Sequence, residues 1–334
     1  MATINRQVLL ASRPQGWVVE DNFRIIETPI PKPAPGEVLV KNEWLSLDPY
    51  MRGRMNEAKS YVPPVQIGEV MVGQTVGEVL ESQDPAFKAG DKVLSPLGWQ
   101  LFGSAKAKSL RKIDVARAPA TYYLGVLGMP GMTAWFGLSE IGKPKAGETL
   151  VVSAASGAVG SVVGQLAKIM GCRAVGIAGG KTKCDYVVDE LGFDACIDYK
   201  AGGDVGERLR KACPNGVDVY FENVGGALLD TMLAVMNRFS RIVICGFVAE
   251  YNATEPYGYK RLRSILVNRI RMQGMLVFDW EERYGEAIEA LAKHLAAGKL
   301  KYRESIVEGL DNAPKGLIGL LKGENFGKQL VKLA

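Results

Sequence analysis

Histidine is nearly absent: the 334-residue chain carries one, His294. Cysteine is sparse and one-sided. All five, Cys172, Cys184, Cys196, Cys213 and Cys245, lie in the second half, and no CxxC spacing occurs. A zinc site takes three or four ligands drawn mostly from these two residue types. The inventory therefore speaks against a catalytic zinc and leaves no four-cysteine structural lobe. A Ser–His–Asp hydrolase is disfavoured as well, because no GxSxG elbow accompanies the histidine. His294 falls in the helix-like stretch EAIEALAKHLAAG beside Lys293, where a surface or structural role is expected. An odd cysteine count without a paired framework points to a reducing compartment. No apolar run approaches the roughly 18 residues of a membrane span, and the opening MATINRQVLLASRPQG has no signal-peptide core, so the cytoplasm is the expected location. Long charge blocks are missing too. The net charge of +5 is spread along the chain, densest at Lys260-Arg261-Leu262-Arg263, and reads as a mildly basic solvated surface. With metal and histidine set aside, tyrosines, lysines and backbone groups are left for proton donation and oxyanion support.

What is present is a globular composition, 47% hydrophobic and 23% charged, in a length that suits two domains. To about residue 120 the chain reads as strand. EVLVKNEWLSL, EVMVGQTVGEVLES and DKVLSPL are β-branched, partly alternating runs, broken at Pro35-Gly36, Asp84-Pro85 and Gly90-Asp91. A compact antiparallel domain is expected. The pattern changes near Tyr122. TLVVSA, CRAVGIA, FDACIDY, VDVYFENV, RIVICGF and RMQGMLV alternate with helical stretches such as Gly226 to Asn237, the signature of βαβ units on a parallel sheet. A helix ends at Gly298, and YRESIVEG and FGKQLVKL return to strand character.

The most informative segment runs from Thr149 to Lys183. A buried strand, TLVVSAA, leads into Ser156-Gly157-Ala158-Val159-Gly160 and a helix with Val159, Val162, Val163, Leu166 and Ile169/Met170 on one face. Gly171 ends that helix, and another strand follows. This is the order a dinucleotide site requires. Gly157 allows the turn and the approach of a pyrophosphate, Gly160 and Gly164 permit close helix–strand packing, and the helix N-terminus faces the phosphates. The fingerprint's first glycine is replaced by Ala155, giving AxGxxG. An NAD site places Asp or Glu after the second strand, on the ribose hydroxyls. Here Gly179-Gly180-Lys181-Thr182-Lys183 offers two lysines and no carboxylate. NADPH is the expected cofactor.

PAPGEVLV, SLDPYMRGRM, GDKV, GMPGMTAWFGL, AASGAVGSVVGQLAK, ENVGG and CGFVAEYN occur in the order seen in the medium-chain dehydrogenase/reductase superfamily. Together they resemble its zinc-free branch of leukotriene B4 12-hydroxydehydrogenase/15-oxoprostaglandin reductases, alkenal double-bond reductases and curcumin reductases. The resemblance implies an α/β chain in which a GroES-like β-rich substrate domain, 1–124 plus 300–334, carries an inserted Rossmann domain, 125–299, with a doubly wound parallel sheet. It implies a homodimer joined through Rossmann sheet edges. It also implies cofactor contacts at Met129 and Thr133, at Gly157, Ala158, Val159 and Gly160, and at Lys183 (favoured over Lys181) for the 2′-phosphate, with Tyr199 walling it. Further contacts are implied at Asn223, along Cys245, Gly246, Phe247 and Tyr251, along Met275, Leu276 and Val277, and at Asn325. One departure stands out. Val267 occupies the position where mammalian and plant relatives carry an active-site tyrosine. Tyr50, Tyr61 and Tyr251 are the candidates to fill that catalytic role. The activity implied is hydride transfer from NADPH to the β-carbon of an α,β-unsaturated ketone or aldehyde. Quinone reduction on the same architecture is a rival, and an NADPH-binding sensor or structural protein with little turnover is a rival of another class.

Overall fold

The computed structural model describes residues 4–333; Met1–Thr3 of the amino-terminal stretch and Ala334 lie outside the described residues. The chain divides into two compact units, 1–125 with 304–334, and 126–303.

The first unit is mostly antiparallel sheet. Ile4–Leu10 pairs with Phe23–Pro29 in a two-stranded ribbon. A seven-stranded sheet is centred on Glu37–Ser46, which pairs with Thr75–Ser82, with Phe102–Lys106 and with the C-terminal strand Lys328–Lys332. The alternation read from EVLVKNEWLSL is explained by burial: Val38 and Val40 join Val79 and Val93 in one apolar cluster. Of the run EVMVGQTVGEVLES only Thr75–Ser82 is strand. Its first residues follow an irregular path past Trp99, which is fully buried and stacked on Phe23 at 5.5 Å. One pairing in this unit is parallel, Glu304–Glu308 against Lys328–Lys332.

The second unit holds a six-stranded parallel sheet. From one edge to the other its strands are Ala195–Asp198, Arg173–Ala178, Thr149–Ser153, Val217–Glu222, Met236–Ile244 and Arg271–Gly274. Every residue of the central Thr149–Ser153 is buried, as a strand covered on both faces requires. The order reverses beside that strand, so the segments leaving its C-terminal end flank a crevice where ligands of such sheets bind. Helix Gly160–Ile169 buries Val162, Val163 and Leu166 as its periodicity predicts, whereas Ile169 turns outward. The expected helix over Gly226 to Asn237 is shorter. It stops at Leu233, and Met236 and Asn237 already belong to the next strand. The Asn237 amide donates to Asn215 O at 2.9 Å and to Asp218 at 2.8 Å, which ties that residue to the sheet rather than to the helix. Among the described residues no helix is long and apolar enough to cross a membrane.

Candidate functional site

The glycine loop is built around a strained residue. Ala154 takes φ +51°, and its carbonyl accepts from Gly157 N at 2.9 Å, closing a tight turn. A Cβ on Gly160 would stand 2.3 Å from that same carbonyl, so only glycine lets helix Gly160–Ile169 begin this close to the strand end. One on Gly164 would overlap the Phe193 ring at 1.7 Å. Gly160 and Gly164 are therefore demanded by geometry, whereas a Cβ on Gly157 would make only a tight 3.1 Å contact with Ala154 O. Ala155, at the position of the missing first glycine, is fully buried and packs where a Cβ on Gly176 would reach it at 2.7 Å.

A buried hydrogen-bond network ties this loop to the neighbouring strand. Ser153 Oγ donates to Glu222 Oε1 at 2.8 Å and accepts from Asn223 N at 2.8 Å; the Asn223 amide donates to Ser153 O at 2.8 Å. Val224 N donates to the same Glu222 oxygen at 2.6 Å. Burial pushes the Glu222 carboxyl above the usual carboxylate range, and these donors work against that shift. Glu222 O in turn accepts from Cys245 N and Gly246 N, and Asn223 O accepts from Val248 N. Asn223 and the turn after Ile244 are thus brought to the mouth of the glycine loop. Tyr251 folds back over this turn: a Cβ on Gly246 would lie 3.1 Å from its hydroxyl. Met275 N donates to Ile244 O at 3.0 Å, which sets Met275, Leu276 and Val277 alongside. Helix Met129–Phe136 packs Met132 and Phe136 against Val277, and Thr133 Oγ donates to Met129 O at 2.8 Å.

At the end of Arg173–Ala178, Gly179 lies under two side chains. A Cβ there would meet Tyr199 Oη at 2.8 Å and Lys200 Cε at 3.0 Å. Lys181 is turned away into an exposed ion pair with Asp185 at 2.7 Å. Lys183 is half-buried, and burial followed by the nearby Lys200 charge pulls its ammonium below the ordinary lysine range. Two ammonium groups close enough for one to depress the other favour an anion between them. The nearby carboxylate of Asp198 is engaged by main-chain donors, accepting from Gly180 N at 2.7 Å and Lys200 N at 2.9 Å. Lys200 was not singled out from sequence; the signal was its place beside Tyr199 in IDYK. The Ser153–Glu222 network was missed as well, since a carboxylate closing an apolar strand has no periodic signature.

Three candidates lie in the first unit. Tyr50 opens the short helix Tyr50–Arg54. Burial raises its phenol well above the ordinary value, with the Asp48 charge next and Tyr61 adding to it, so the two tyrosines lie within electrostatic reach of each other. Tyr61 is 51% exposed. The turn before Tyr50 is pinned from the C-terminal strand. Lys328, fully buried, donates to Leu47 O at 2.7 Å and Gln329 O at 2.9 Å and pairs with Asp48 at 3.1 Å. Ser46 also donates to Asp48. The Asn325 amide donates to Gly327 O at 2.8 Å, at the rim of a groove of about 480 Å³ that also includes Ser305 and Lys315. Val267, at the relatives' tyrosine position, is 49% exposed on the short helix Arg263–Asn268.

Two family models match the chain, one described as the N-terminal domain of oxidoreductase over residues 6–113 and one as zinc-binding dehydrogenase over 158–293. The donor set does not fit the second description's metal. Among the described residues no three His, Cys, Asp or Glu side chains converge as ligands, and His294 sits alone on helix Tyr284–Ala296. The chain is 49% identical to an NADPH-dependent curcumin reductase of Escherichia coli, covering 99% of this chain and 97% of the relative. It is 43% identical to a 2-alkenal reductase (NADP(+)-dependent) of Nicotiana tabacum, covering 99% and 98%. Among solved structures it is similar to CurA of Vibrio vulnificus in complex with NADPH, with a TM-score of 0.94 and 49% identity over 98% of this chain and 99% of that one.

Proposed function

The chain belongs to the medium-chain dehydrogenase/reductase superfamily, in the branch of curcumin, alkenal and prostaglandin reductases, and from that premise we propose that it is an NADPH-dependent reductase of the carbon–carbon double bond in α,β-unsaturated ketones and aldehydes. The observation that carries the reading is the pairing of 49% and 43% identity to two such reductases, over 99% of the chain, with the lysines and Tyr199 gathered after the second strand of the parallel sheet. The residues present fit NADPH. Gly157 to Gly160 leave bare backbone for a pyrophosphate, Lys183, Lys200 and Tyr199 suit a 2′-phosphate, and Asn223, the 245–247 turn, 275–277, Met129, Thr133 and Asn325 are assigned to the remainder of the dinucleotide.

When bound, NADPH supplies the hydride. The chain's task is to hold the enone and to stabilise the negative charge that develops on its carbonyl oxygen, and among the described residues no metal ligand set is at hand for that work. We assign Tyr251 as the hydrogen-bond donor to that oxygen. Its hydroxyl hangs over Gly246, at the C-terminal end of a sheet strand. Tyr50 and Tyr61 are assigned as substrate contacts. The raised phenol of Tyr50 stays protonated through neutral and mildly alkaline pH, which keeps it a donor. Assembly as a homodimer fits the second unit. Its sheet ends in an open edge strand, Arg271–Gly274, and the nearby helix exposes 77% of Leu266 and 49% of Val267, an apolar edge that a second copy covers. The activity is tested by following NADPH oxidation against a panel of enones, alkenals and quinones. Faster turnover of enones than of quinones supports the reading, and turnover of quinones alone overturns it in favour of the quinone reductase.

A further inference from the structure

Cys184 and Cys196 meet beneath the basic pocket. Cys184 lies on the short helix Lys181–Asp185, next to Lys183, and Cys196 lies on the edge strand Ala195–Asp198, three residues before Tyr199 and four before Lys200. Their sulfurs are 2.7 Å apart, with the Cys196 thiol donating to Cys184. That is several tenths of an ångström more than a disulfide bond of about 2.05 Å. Cys196 is half-buried, and Cys184 is buried with 9% of its surface left exposed. The donated hydrogen bond lowers the Cys184 thiol and raises its partner, which makes Cys184 the nucleophile of the two. The other three cysteines have no such neighbour among the contacts of the described residues. The strand that carries Cys196 also carries Asp198, which holds Gly180 N, and the following Tyr199 and Lys200 close over Gly179. Pocket and thiol pair are thus two faces of one helix–strand contact.

We propose that Cys184 and Cys196 are a redox-modification site, and that their disulfide loosens the chain's hold on the 2′-phosphate of NADPH. The coupling rests on the assignment of Lys183 and Lys200 to that phosphate. The oxidant class is a hydroperoxide. The Cys184 thiolate attacks the distal oxygen of ROOH, the O–O bond breaks, and ROH leaves with a proton, giving a sulfenic acid. The Cys196 sulfur then attacks the Cys184 sulfur; the S–S bond forms and water leaves with the Cys196 proton. Two thiols have lost two electrons to the peroxide, and a dithiol reverses the change. Closing the bond draws helix Lys181–Asp185 toward the sheet edge and moves the neighbouring Lys183. A charge-assisted hydrogen bond weakens steeply once misaligned.

The test treats the purified full-length protein with hydrogen peroxide, then removes it. Intact mass should fall by two hydrogens, with peptide mapping placing the link between Cys184 and Cys196. In fluorescence titration NADPH should bind about threefold to tenfold more weakly, NADH within twofold of the reduced protein, and dithiothreitol should restore both mass and affinity. Cys184→Ala and Cys196→Ala should each abolish the response, whereas Cys213→Ala keeps it. No 184–196 link under peroxide, or a link with NADPH affinity within twofold, overturns the proposal. Lys183→Ala in the reduced protein separates the two readings. Weaker NADPH binding there with no effect of the disulfide leaves the pocket assignment standing and sinks the switch. Unchanged NADPH binding in Lys183→Ala sinks the assignment and, with it, the proposed coupling.

Discussion

Removing the Lys183 ammonium tests how the chain tells NADPH from NADH. The pocket contains two amines, Lys183 and Lys200, close enough for one to depress the other, around a glycine whose missing side chain leaves room for Tyr199. A phosphate entering there relieves that repulsion as well as accepting hydrogen bonds. A hydrogen bond to a charged group contributes about 1.5–3 kcal/mol, so Lys183→Ala should weaken NADPH binding roughly 10- to 150-fold. NADH, lacking the phosphate, should be held as before. Lys181→Ala is the internal control: its ammonium is spent on Asp185 at the exposed face, and NADPH affinity should stay within about threefold. Cofactor fluorescence titrated at fixed ionic strength gives all these constants. Equal weakening of NADPH and NADH in Lys183→Ala, or a larger loss in Lys181→Ala than in Lys183→Ala, would refute the argument.

Other consequences can be measured separately. Tyr251→Phe should lower enone turnover about 10- to 100-fold, less than the loss of a full oxyanion-hole donor because water partly replaces a phenol, with NADPH affinity kept. Tyr50→Phe should mainly raise the substrate concentration required, and steady-state kinetics with several enones checks both. Lys328→Met strands the Asp48 carboxylate in the interior and should cost about 3–5 kcal/mol in denaturant unfolding, while Lys328→Met with Asp48→Asn recovers part of it. Glu148 is tied to Arg241 by bonds of 2.9 and 2.6 Å. Burial works to raise its carboxyl, but the Arg241 hydrogen bonds and charge win and hold it below the usual value. A depressed carboxylate stabilises the folded state above its unfolded pKa and ceases to as pH falls through the folded one. The thermal midpoint of wild type should therefore drop from pH 7 to pH 3.5 by more than that of Glu148→Gln, and parallel curves for the two would show that the pair carries no such linkage.

The second unit was legible in the sequence because both of its signals are local. Buried strands are short apolar runs, and the glycines at 160 and 164 stand where a Cβ would strike Ala154 O or Phe193. The boundary errors also have local causes. Asn237 looked helical from its neighbours, yet its amide is claimed by Asp218 on the adjacent strand and by Asn215 in the turn before it. In the first unit, Glu69 to Gln74 has strand-like composition, but only Thr75–Ser82 finds a strand partner for a full ladder. The site was harder to read. Lys183 and Lys181 are close by spacing, and what separates them in the structure is the exposed Asp185 contact of Lys181 and the half-buried place of Lys183 beside Lys200. Lys328 and Asp48 are 280 residues apart in the chain, and no periodicity announces their meeting. The Cys184–Cys196 contact is likewise set by helix packing on an edge strand, which a spacing of 12 residues does not reveal.

The most direct test of the central claim follows the hydride itself. NADPH deuterated at the transferable position is incubated with the enzyme and an aryl-substituted enone, and the product is examined by mass spectrometry and proton NMR. The expected product is a saturated ketone with its carbonyl intact and the deuterium on the former β-carbon. An allylic alcohol with deuterium on the carbinol carbon would contradict it, as would cofactor binding with no deuterium transferred across the whole enone panel.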